Sequence, residues 1–231
     1  MRSITLKRPS IFCGLGVAFL ALCSTAQAST FTFNTDPFAG TNVLNTPGRQ
    51  IIAGESFISF NPGTDVFSLD ATVFGVGNTV NFVNSLAANL PTGGVNIIVL
   101  ETLDNDNNLQ TPFGAGNAAD LIASHITAQG PGFFIYFNQA LDLPRLVFST
   151  DLSSNTADLK VLARMLNLNG QAGINALPSF TERNFSITAS ASTPEPSSFL
   201  LNFAIGSIAV CWYFCQRRKK RLQDSREVDV P

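Results

Sequence analysis

The predicted fold class of this sequence rests first on the segment GFFIYFN, residues 132–138. Phe133 to Phe137 are apolar without interruption, and turn sequences, QGPG and DLP, lie on either side. A short apolar run between Gly and Pro residues is typical of a strand that is covered on both faces of a sheet. We therefore expect this segment to be a central strand.

Five further segments carry strand signals. They are short, rich in Phe, Val, Ile and Thr, and separated by turn sequences such as NPGT and PTGG. Their sequences are RQIIAGESFISF, DVFSLDATVF, GGVNIIVLET, RLVFST and NFSIT. Along residues 65–74 apolar and polar side chains alternate, which predicts a strand with one face in solvent. The many Phe residues are expected to pack the core.

Three segments have other patterns. VNFVNSLAANL, residues 80–90, places its apolar residues at helical spacing, and NAADLIASHI begins with Asn117 as a plausible helix N-cap. ADLKVLARML, residues 157–166, is compatible with a helix or a buried strand. The predicted fold class is mainly β, an antiparallel β-sandwich-like domain with short helices, with α+β as the alternative.

The N-terminus has the three parts of a signal peptide. Its first ten residues are basic without an acid, residues 11–23 are apolar, and Ala26-Gln27-Ala28 is an A-x-A cleavage signature. The apolar run would reach only about 20 Å as a helix, less than the roughly 30 Å of a bilayer core. We expect residues 1–28 to be removed after Ala28, and an uncleaved anchor is the alternative.

Residues 29–192 are then the exported β-rich domain. From Ser29 to Thr193 the chain has five basic and twelve acidic residues, a formal charge of −7. So acidic a domain neutralises few phosphates, which argues against a nucleic-acid partner. All four cysteines, Cys13, Cys23, Cys211 and Cys215, lie in the terminal apolar segments. The domain therefore has neither disulfides nor a thiol nucleophile.

Catalytic motifs are scarce in this sequence. His125 is the only histidine, and neither a G-x-S-x-G elbow nor an H-E-x-x-H motif is present. GAGNAA, residues 114–119, matches G-x-G-x-x-A but follows a long polar loop instead of a strand. Two carboxylates could serve glycoside hydrolysis if the fold paired them, so a secreted hydrolase is the less favoured alternative. We predict that the domain is not an enzyme.

A weak calcium candidate lies at residues 104–108, DNDNN. Asp104, Asp106 and Asn108 have the D-x-D-x-N spacing with which many calcium loops begin. Leu109 stands where an EF-hand has its glycine, and Ala115 where it has a bidentate Glu. A solvated turn is the favoured interpretation. Asp120 or Asp142 could complete a site only if the fold brought them near.

The C-terminal region predicts a membrane segment. Ser197 to Cys215 are 19 residues without a charge, which as a helix span about 28 Å. A basic cluster follows, formed by Arg217, Arg218, Lys219, Lys220 and Arg221. By the positive-inside rule the cluster lies in the cytoplasm with the tail 222–231, and the domain lies outside.

Pro194, Glu195 and Pro196 come directly before this span. With the signal peptide, the span and the basic end in that order, segment 193–221 resembles the bacterial PEP-CTERM sorting tail. The resemblance implies recognition of Pro194-Glu195-Pro196 by an exosortase in the inner membrane, with Arg217 to Arg221 as the retention signal. It also implies a Gram-negative host that makes extracellular polysaccharide.

The sequence thus predicts an exported bacterial cell-surface or matrix protein with a non-catalytic structural or binding domain of unknown ligand. Expected partners are signal peptidase, exosortase, membrane lipid around residues 197–215 and extracellular polysaccharide. The protein would cross the inner membrane, be anchored at least transiently, and end at the cell surface or outside it. A permanently anchored type I single-pass protein that binds a partner is the alternative.

Overall fold

The structure is a computed structural model that describes residues 27–46, 48–108 and 110–189. The strands are β1 Thr30–Phe33, β2 Ile51–Ile52, β3 Ser56–Ile58, β4 Val66–Asp70, β5 Phe82–Ser85, β6 Ile97–Leu100, β7 Gly132–Asn138, β8 Leu143–Ser149, β9 Leu159–Met165 and β10 Phe185–Thr188. The α-helices are α1 Ala71–Phe74, α2 Ala115–His125 and α3 Gly170–Ala176. Short 3₁₀ helices cover Val43–Asn45, Ala87–Asn89, Leu177–Ser179 and Glu182–Asn184. The predicted mainly β class is confirmed.

The strands form two sheets. The small sheet has the order β1-β4-β10, and the large sheet has the order β2-β9-β8-β7-β6-β5, with β3 also paired to β9. Only β7 with β8 and β8 with β9 pair antiparallel among the described strands. The prediction of antiparallel sheets is therefore wrong for most pairs. Parallel neighbours need a long crossover, and β6 reaches β7 through the segment that contains α2.

β7 lies inside the large sheet and is buried along its whole length, as predicted from GFFIYFN. Its alternate residues enter two separate cores. Phe133, Ile135 and Phe137 join the cluster shared with the small sheet. Phe134 and Tyr136 join the cluster on the opposite face, which includes α2. The large sheet is thus covered by a sheet on one face and by a helix on the other.

Phenylalanine rings fill the core between the sheets, as expected from composition. Phe60 stacks on Phe67 with ring centroids 4.2 Å apart and planes 4° from parallel. Phe180 stacks near Phe60 at 5.4 Å. All three side chains are fully buried. Phe60 lies just before β4 and Phe180 lies 110 residues after its last residue, so the stacked rings join β4 to both segments.

Two local predictions are corrected by the structure. Residues 80–90 form β5 and the 3₁₀ helix Ala87–Asn89 instead of an α-helix. β5 pairs in parallel with β6, and the Asn84 side-chain amide donates to the carbonyls of Leu177 and Phe180. These tertiary bonds outweigh the helical spacing of the apolar residues.

The alternating pattern of residues 65–74 is a strand only up to Asp70. There the Asp70 carboxylate accepts the backbone N–H groups of Thr72 and Val73, and the chain turns into α1. The helix predicted from Asn117 is confirmed as α2, but it begins earlier, with Gly114 as its N-cap. Asn117 instead accepts the Gly114 N–H with its side-chain oxygen. Residues 157–166, left open between helix and strand, contain β9.

Within the described ranges, no helix is both long enough and apolar enough to cross a membrane. The span predicted at residues 197–215 lies outside those ranges.

Candidate functional site

A concave pocket of about 470 Å³ lies between α2 and the loop that follows β8. Asp120, Ala123 and Ser124 line it from α2, and Gln129 lines it from the turn before β7. Asp151, Ser153, Ser154 and Asn155 line it from the loop. Seven of these eight side chains can donate or accept a hydrogen bond. We call this site the polar pocket.

Arg49 joins the two walls of the polar pocket. Its NH1 donates to the Asp120 carboxylate at 2.7 Å and to the Gly116 carbonyl at 2.9 Å, both on α2. Its NH2 donates to the Ser154 carbonyl in the loop at 3.0 Å. The Arg49 side chain is 13% exposed, whereas Asp120 is 53% exposed. Arg49 therefore connects the two walls from a largely buried position, and the Asp120 carboxylate remains accessible to solvent.

The Asp151 carboxylate stabilises the loop wall of the pocket through hydrogen bonds. Its Oδ1 atom accepts hydrogen bonds from the Ser153 backbone N–H and hydroxyl, at 2.9 and 2.8 Å, and from the Gly130 N–H at 3.2 Å. These bonds tie the loop to the turn before β7. A wall held this way is preorganised, which lowers the entropy lost when a ligand binds.

The lining determines which ligands suit the polar pocket. Hydroxyls and carboxamides both donate and accept, and ionised carboxylates accept only. None of the eight lining residues is aromatic or basic. Arg49 neutralises Asp120, whereas Asp151 is in none of the ion pairs of the described residues, so the pocket is net negative and suits a neutral or cationic ligand rich in hydroxyl groups.

A second polar cluster lies inside the large sheet. Arg145 on β8 is directly opposite Arg164 on β9, and Tyr136 on β7 is directly opposite Arg145. Both guanidinium groups reach the Glu55 Oε1 atom, Arg145 at 2.9 Å and Arg164 more closely. The Glu55 and Arg145 side chains are 6% and 13% exposed, so the carboxylate is shielded, whereas Arg164, 25% exposed, reaches the surface.

The electrostatics of Glu55 follow from these contacts. Burial alone would raise its pKa, because an ionised carboxylate loses hydration. Hydrogen bonds from the backbone and from Arg164 to the carboxylate, with the attraction of both guanidinium groups, outweigh burial and lower the pKa to about 2 from 4.5. Glu55 is therefore ionised at neutral pH and compensates part of the positive charge of the two arginines.

Tyr136 is the neighbour of this cluster within the sheet. Its hydroxyl oxygen accepts from the Asn138 side-chain amide at 2.8 Å and from Arg145 at 3.5 Å. Burial raises the pKa of the phenol above its ordinary value of 10, although both hydrogen bonds act in the opposite direction. The hydroxyl therefore stays protonated at neutral pH and serves as a hydrogen-bonding group inside an apolar strand.

The calcium candidate folds as a series of Asx turns. The side-chain oxygen of Asp104 accepts the Asp106 N–H, that of Asp106 accepts the Asn108 N–H, and that of Asn108 accepts the Gln110 N–H. Hydrogen bonding, above all from the Thr111 hydroxyl, lowers the Asp106 pKa. In the described part of the chain, no three His, Cys, Asp or Glu residues lie together as metal ligands. Asp120 lies in the polar pocket instead, and Asp142 lies in the turn between β7 and β8.

His125 is the last residue of α2 and is half-buried. The hydroxyl of its neighbour Ser124 donates to the Leu121 carbonyl at 2.7 Å, so that hydroxyl is bonded within the helix. GAGNAA forms the start of α2 after a loop of more than ten residues from β6, as the sequence indicated.

The residues predicted to direct export lie mostly outside the described ranges. These are Ala26, Pro194, Glu195, Pro196, Arg217, Arg218, Lys219, Lys220 and Arg221. Ala28, on the other side of the predicted cleavage point from Ser29, is described and exposed. Its exposure suits a peptide bond that a protease must reach.

No family model matches this chain, and neither a curated protein nor a solved structure matches it. The polar pocket was not predicted, because no local motif marks it. Arg49 and Ser154 are 105 positions apart, and only the fold brings them together.

Proposed function

We propose that this chain is an exported bacterial surface or matrix protein that is sorted by a PEP-CTERM-like tail and binds an extracellular glycan without catalysis. The observation that carries the binding role is the polar pocket between α2 and the loop after β8. Its hydroxyl, carboxamide and carboxylate groups match the hydrogen-bonding pattern of a sugar. The sorting role rests on the order of sequence features around Pro194-Glu195-Pro196.

In this proposal the glycan is neutral or carries amino groups. Two carboxylates line the pocket, and the exported domain has a formal charge of −7, so an anionic polysaccharide would be repelled. The pocket lacks an aromatic ring on which a sugar could stack. We therefore expect weak binding per site, to which many copies on a surface or in a matrix would add through multivalency.

Binding is tested by isothermal titration with neutral oligosaccharides, amino-sugar oligosaccharides and anionic oligosaccharides. The variant is Gln129→Ala with Asn155→Ala, because both side chains line the pocket and both are exposed. We expect at least a fivefold rise in Kd for neutral or amino-sugar ligands. Asn34→Ala, an exposed residue after β1 on the small-sheet side of the chain, is the matched control and should leave Kd unchanged. An equal loss in both variants would contradict the assignment of the pocket.

A carboxylate-based hydrolase is the second candidate, since Asp120 and Asp151 line one pocket. Binding is favoured because both residues already have structural hydrogen-bonding roles, Asp120 with Arg49 and Asp151 with Ser153 and Gly130. Release of reducing ends from a bound oligosaccharide, abolished by Asp120→Asn, would favour the hydrolase instead.

Sorting is tested by terminal mass spectrometry of the native protein. Processing by an exosortase predicts a C-terminus near Pro194-Glu195-Pro196. An intact end at Pro231 would support the permanently anchored type I protein, with a transmembrane helix at residues 197–215.

A further inference from the structure

Asp65 is a buried carboxylate without a cationic partner among the described residues. Its exposed fraction is 5%, and the ion pairs of the described chain involve Asp120 and Glu55 instead. Its Oδ2 atom accepts the Asn61 N–H at 2.8 Å. Its Oδ1 atom accepts the Thr64 hydroxyl at 3.1 Å and the backbone N–H of Ser29 at 2.9 Å. These three donors are neutral, and a cation at the same carboxylate would add an attraction that they do not supply.

Ser29 is held firmly beside this carboxylate. Besides the bond from its nitrogen to Asp65, its carbonyl accepts the Val66 N–H at 2.9 Å. β1 begins one residue later and pairs in parallel with β4, Thr30 opposite Val66. The nitrogen of Ser29 is thus held at the edge of the small sheet, although Ser29 itself, like Ala28 before it, is exposed.

Ser29 is also the first residue after the cleavage point predicted from Ala26-Gln27-Ala28. Hydrolysis of the Ala28–Ser29 bond transfers the hydroxyl of water to the Ala28 carbonyl carbon and a hydrogen to the Ser29 nitrogen. The new amine takes up a proton at neutral pH and becomes an α-ammonium group. The same nitrogen that donates one neutral hydrogen bond in the precursor then carries a positive charge.

We propose that Asp65 is the binding site for the mature N-terminus and that removal of the leader completes the domain by forming an ion pair between the Ser29 α-ammonium group and the Asp65 carboxylate. A charge-assisted hydrogen bond is roughly twice as strong as a neutral one. The domain therefore reaches its full stability only after cleavage. This inference rests on the export and cleavage in the proposed function, but it is independent of the glycan and of the C-terminal tail.

The test uses the exported protein, isolated with the C-terminus that it carries in the cell. Edman sequencing first establishes the N-terminus. Mild periodate then converts an N-terminal serine into an uncharged aldehyde and leaves internal serines intact. We expect periodate to lower the Tm by about 2 to 6 °C, as loss of one charge-assisted bond predicts for a domain of this size.

Two controls separate the ion pair from other effects of the treatment. In Asp65→Asn, which removes the carboxylate charge, periodate should change the Tm by no more than about 1 °C. In a chain exported with its N-terminus at Ala28, the charge is kept but displaced by one residue. Its Tm should lie below that of the mature protein and above that of the periodate-treated protein, because the Ser29 amide keeps a neutral hydrogen bond to Asp65 whereas periodate removes the Ser29 nitrogen. This comparison remains decisive if Asp65→Asn does not fold.

The outcomes are distinguishable. An N-terminus at another residue would refute the cleavage position and this inference together. An N-terminus at Ser29 with an unchanged Tm after periodate, or with a Tm for the Ala28 chain equal to that of the mature protein, would refute the ion pair alone. A drop of the same size in Asp65→Asn would likewise refute it.

Discussion

The Glu55 Oε1 atom lies 2.9 Å from NH2 of Arg145, and the two residues are 90 positions apart in the chain. Arg164 donates to the same oxygen from the next strand. One carboxylate therefore connects the chain before β3 to β8 and β9. Its guanidinium partner Arg164 also lies over the Phe57 ring, 5.1 Å from the centroid. Because the Glu55 carboxylate itself is shielded, the effect of this cluster is expected in stability rather than in binding.

Replacing Glu55 by Gln should destabilise the domain. The substitution keeps the shape but leaves the partly buried Arg145 and Arg164 without a counter-charge, which should lower the free energy of unfolding by about 1 to 3 kcal/mol. Urea denaturation at pH 7 measures the loss. Glu182→Gln, at an exposed position in a 3₁₀ helix, should change it by less than about 0.5 kcal/mol. Equal losses would contradict the role of the cluster.

The stability of the domain should also depend on pH through Glu55. Its pKa is about 2 in the folded chain and 4.5 ordinarily, so its contribution is present above about pH 4.5 and is lost as pH falls towards 2. The difference between wild type and Glu55→Gln should therefore shrink between pH 5 and pH 2.5. A difference that stays constant over this range would show that these contacts do not lower the pKa of Glu55.

Phe67 should be among the most sensitive positions of the core. Its ring is fully buried and stacks on Phe60, so Phe67→Ala should cost about 3 to 5 kcal/mol through lost contacts and a cavity. Leu44→Ala, at a site that is 65% exposed, should cost less than about 1 kcal/mol. Chemical denaturation of both variants measures the contrast, which would be absent if Phe67 did not lie in the core.

Gly132 is the first residue of β7, and the space around it cannot hold a side chain. A Cβ atom there would lie 2.8 Å from the Asn96 carbonyl oxygen and 2.4 Å from a methyl carbon of Leu152. Gly132→Ala should therefore destabilise the domain by about 1 to 3 kcal/mol. Gly77→Ala is the matched control, because a Cβ atom at Gly77 meets nothing within 4 Å. Thermal unfolding of the pair tests the close approach, and similar Tm values would argue against it.

Calcium should not stabilise the DNDNN loop. The side-chain oxygens of Asp104, Asp106 and Asn108 already accept backbone N–H groups, as in an ordinary series of turns. We expect the Tm to be the same in millimolar calcium and in chelator, for the wild type and for Asp104→Ala with Asp106→Ala. A calcium-dependent rise in Tm that the double substitution removes would show that this loop binds calcium.

Local patterns predicted much of the secondary structure. The apolar run of β7, the turn-bounded strands β6, β8 and β10 and the helix α2 were all expected, because their signals lie within a few residues. The errors arose where tertiary bonds compete with local spacing. Residues 82–85 pair with β6 although their apolar spacing is helical, and Asp70 ends β4 by capping α1.

Local sequence patterns were sufficient to show that the domain is mainly β, that β7 is covered on both faces, and that an acidic domain lies between basic ends. These properties depend on the periodicity and composition of single segments. Three-dimensional packing, in contrast, sets the parallel pairing of most strands, the link that Arg49 makes between α2 and the loop after β8, and the contact of the Ser29 nitrogen with the Asp65 carboxylate. Such contacts join residues up to 122 positions apart, as in the Asn184 side-chain amide with the Pro62 carbonyl, and no local pattern encodes which distant partners the packing brings together.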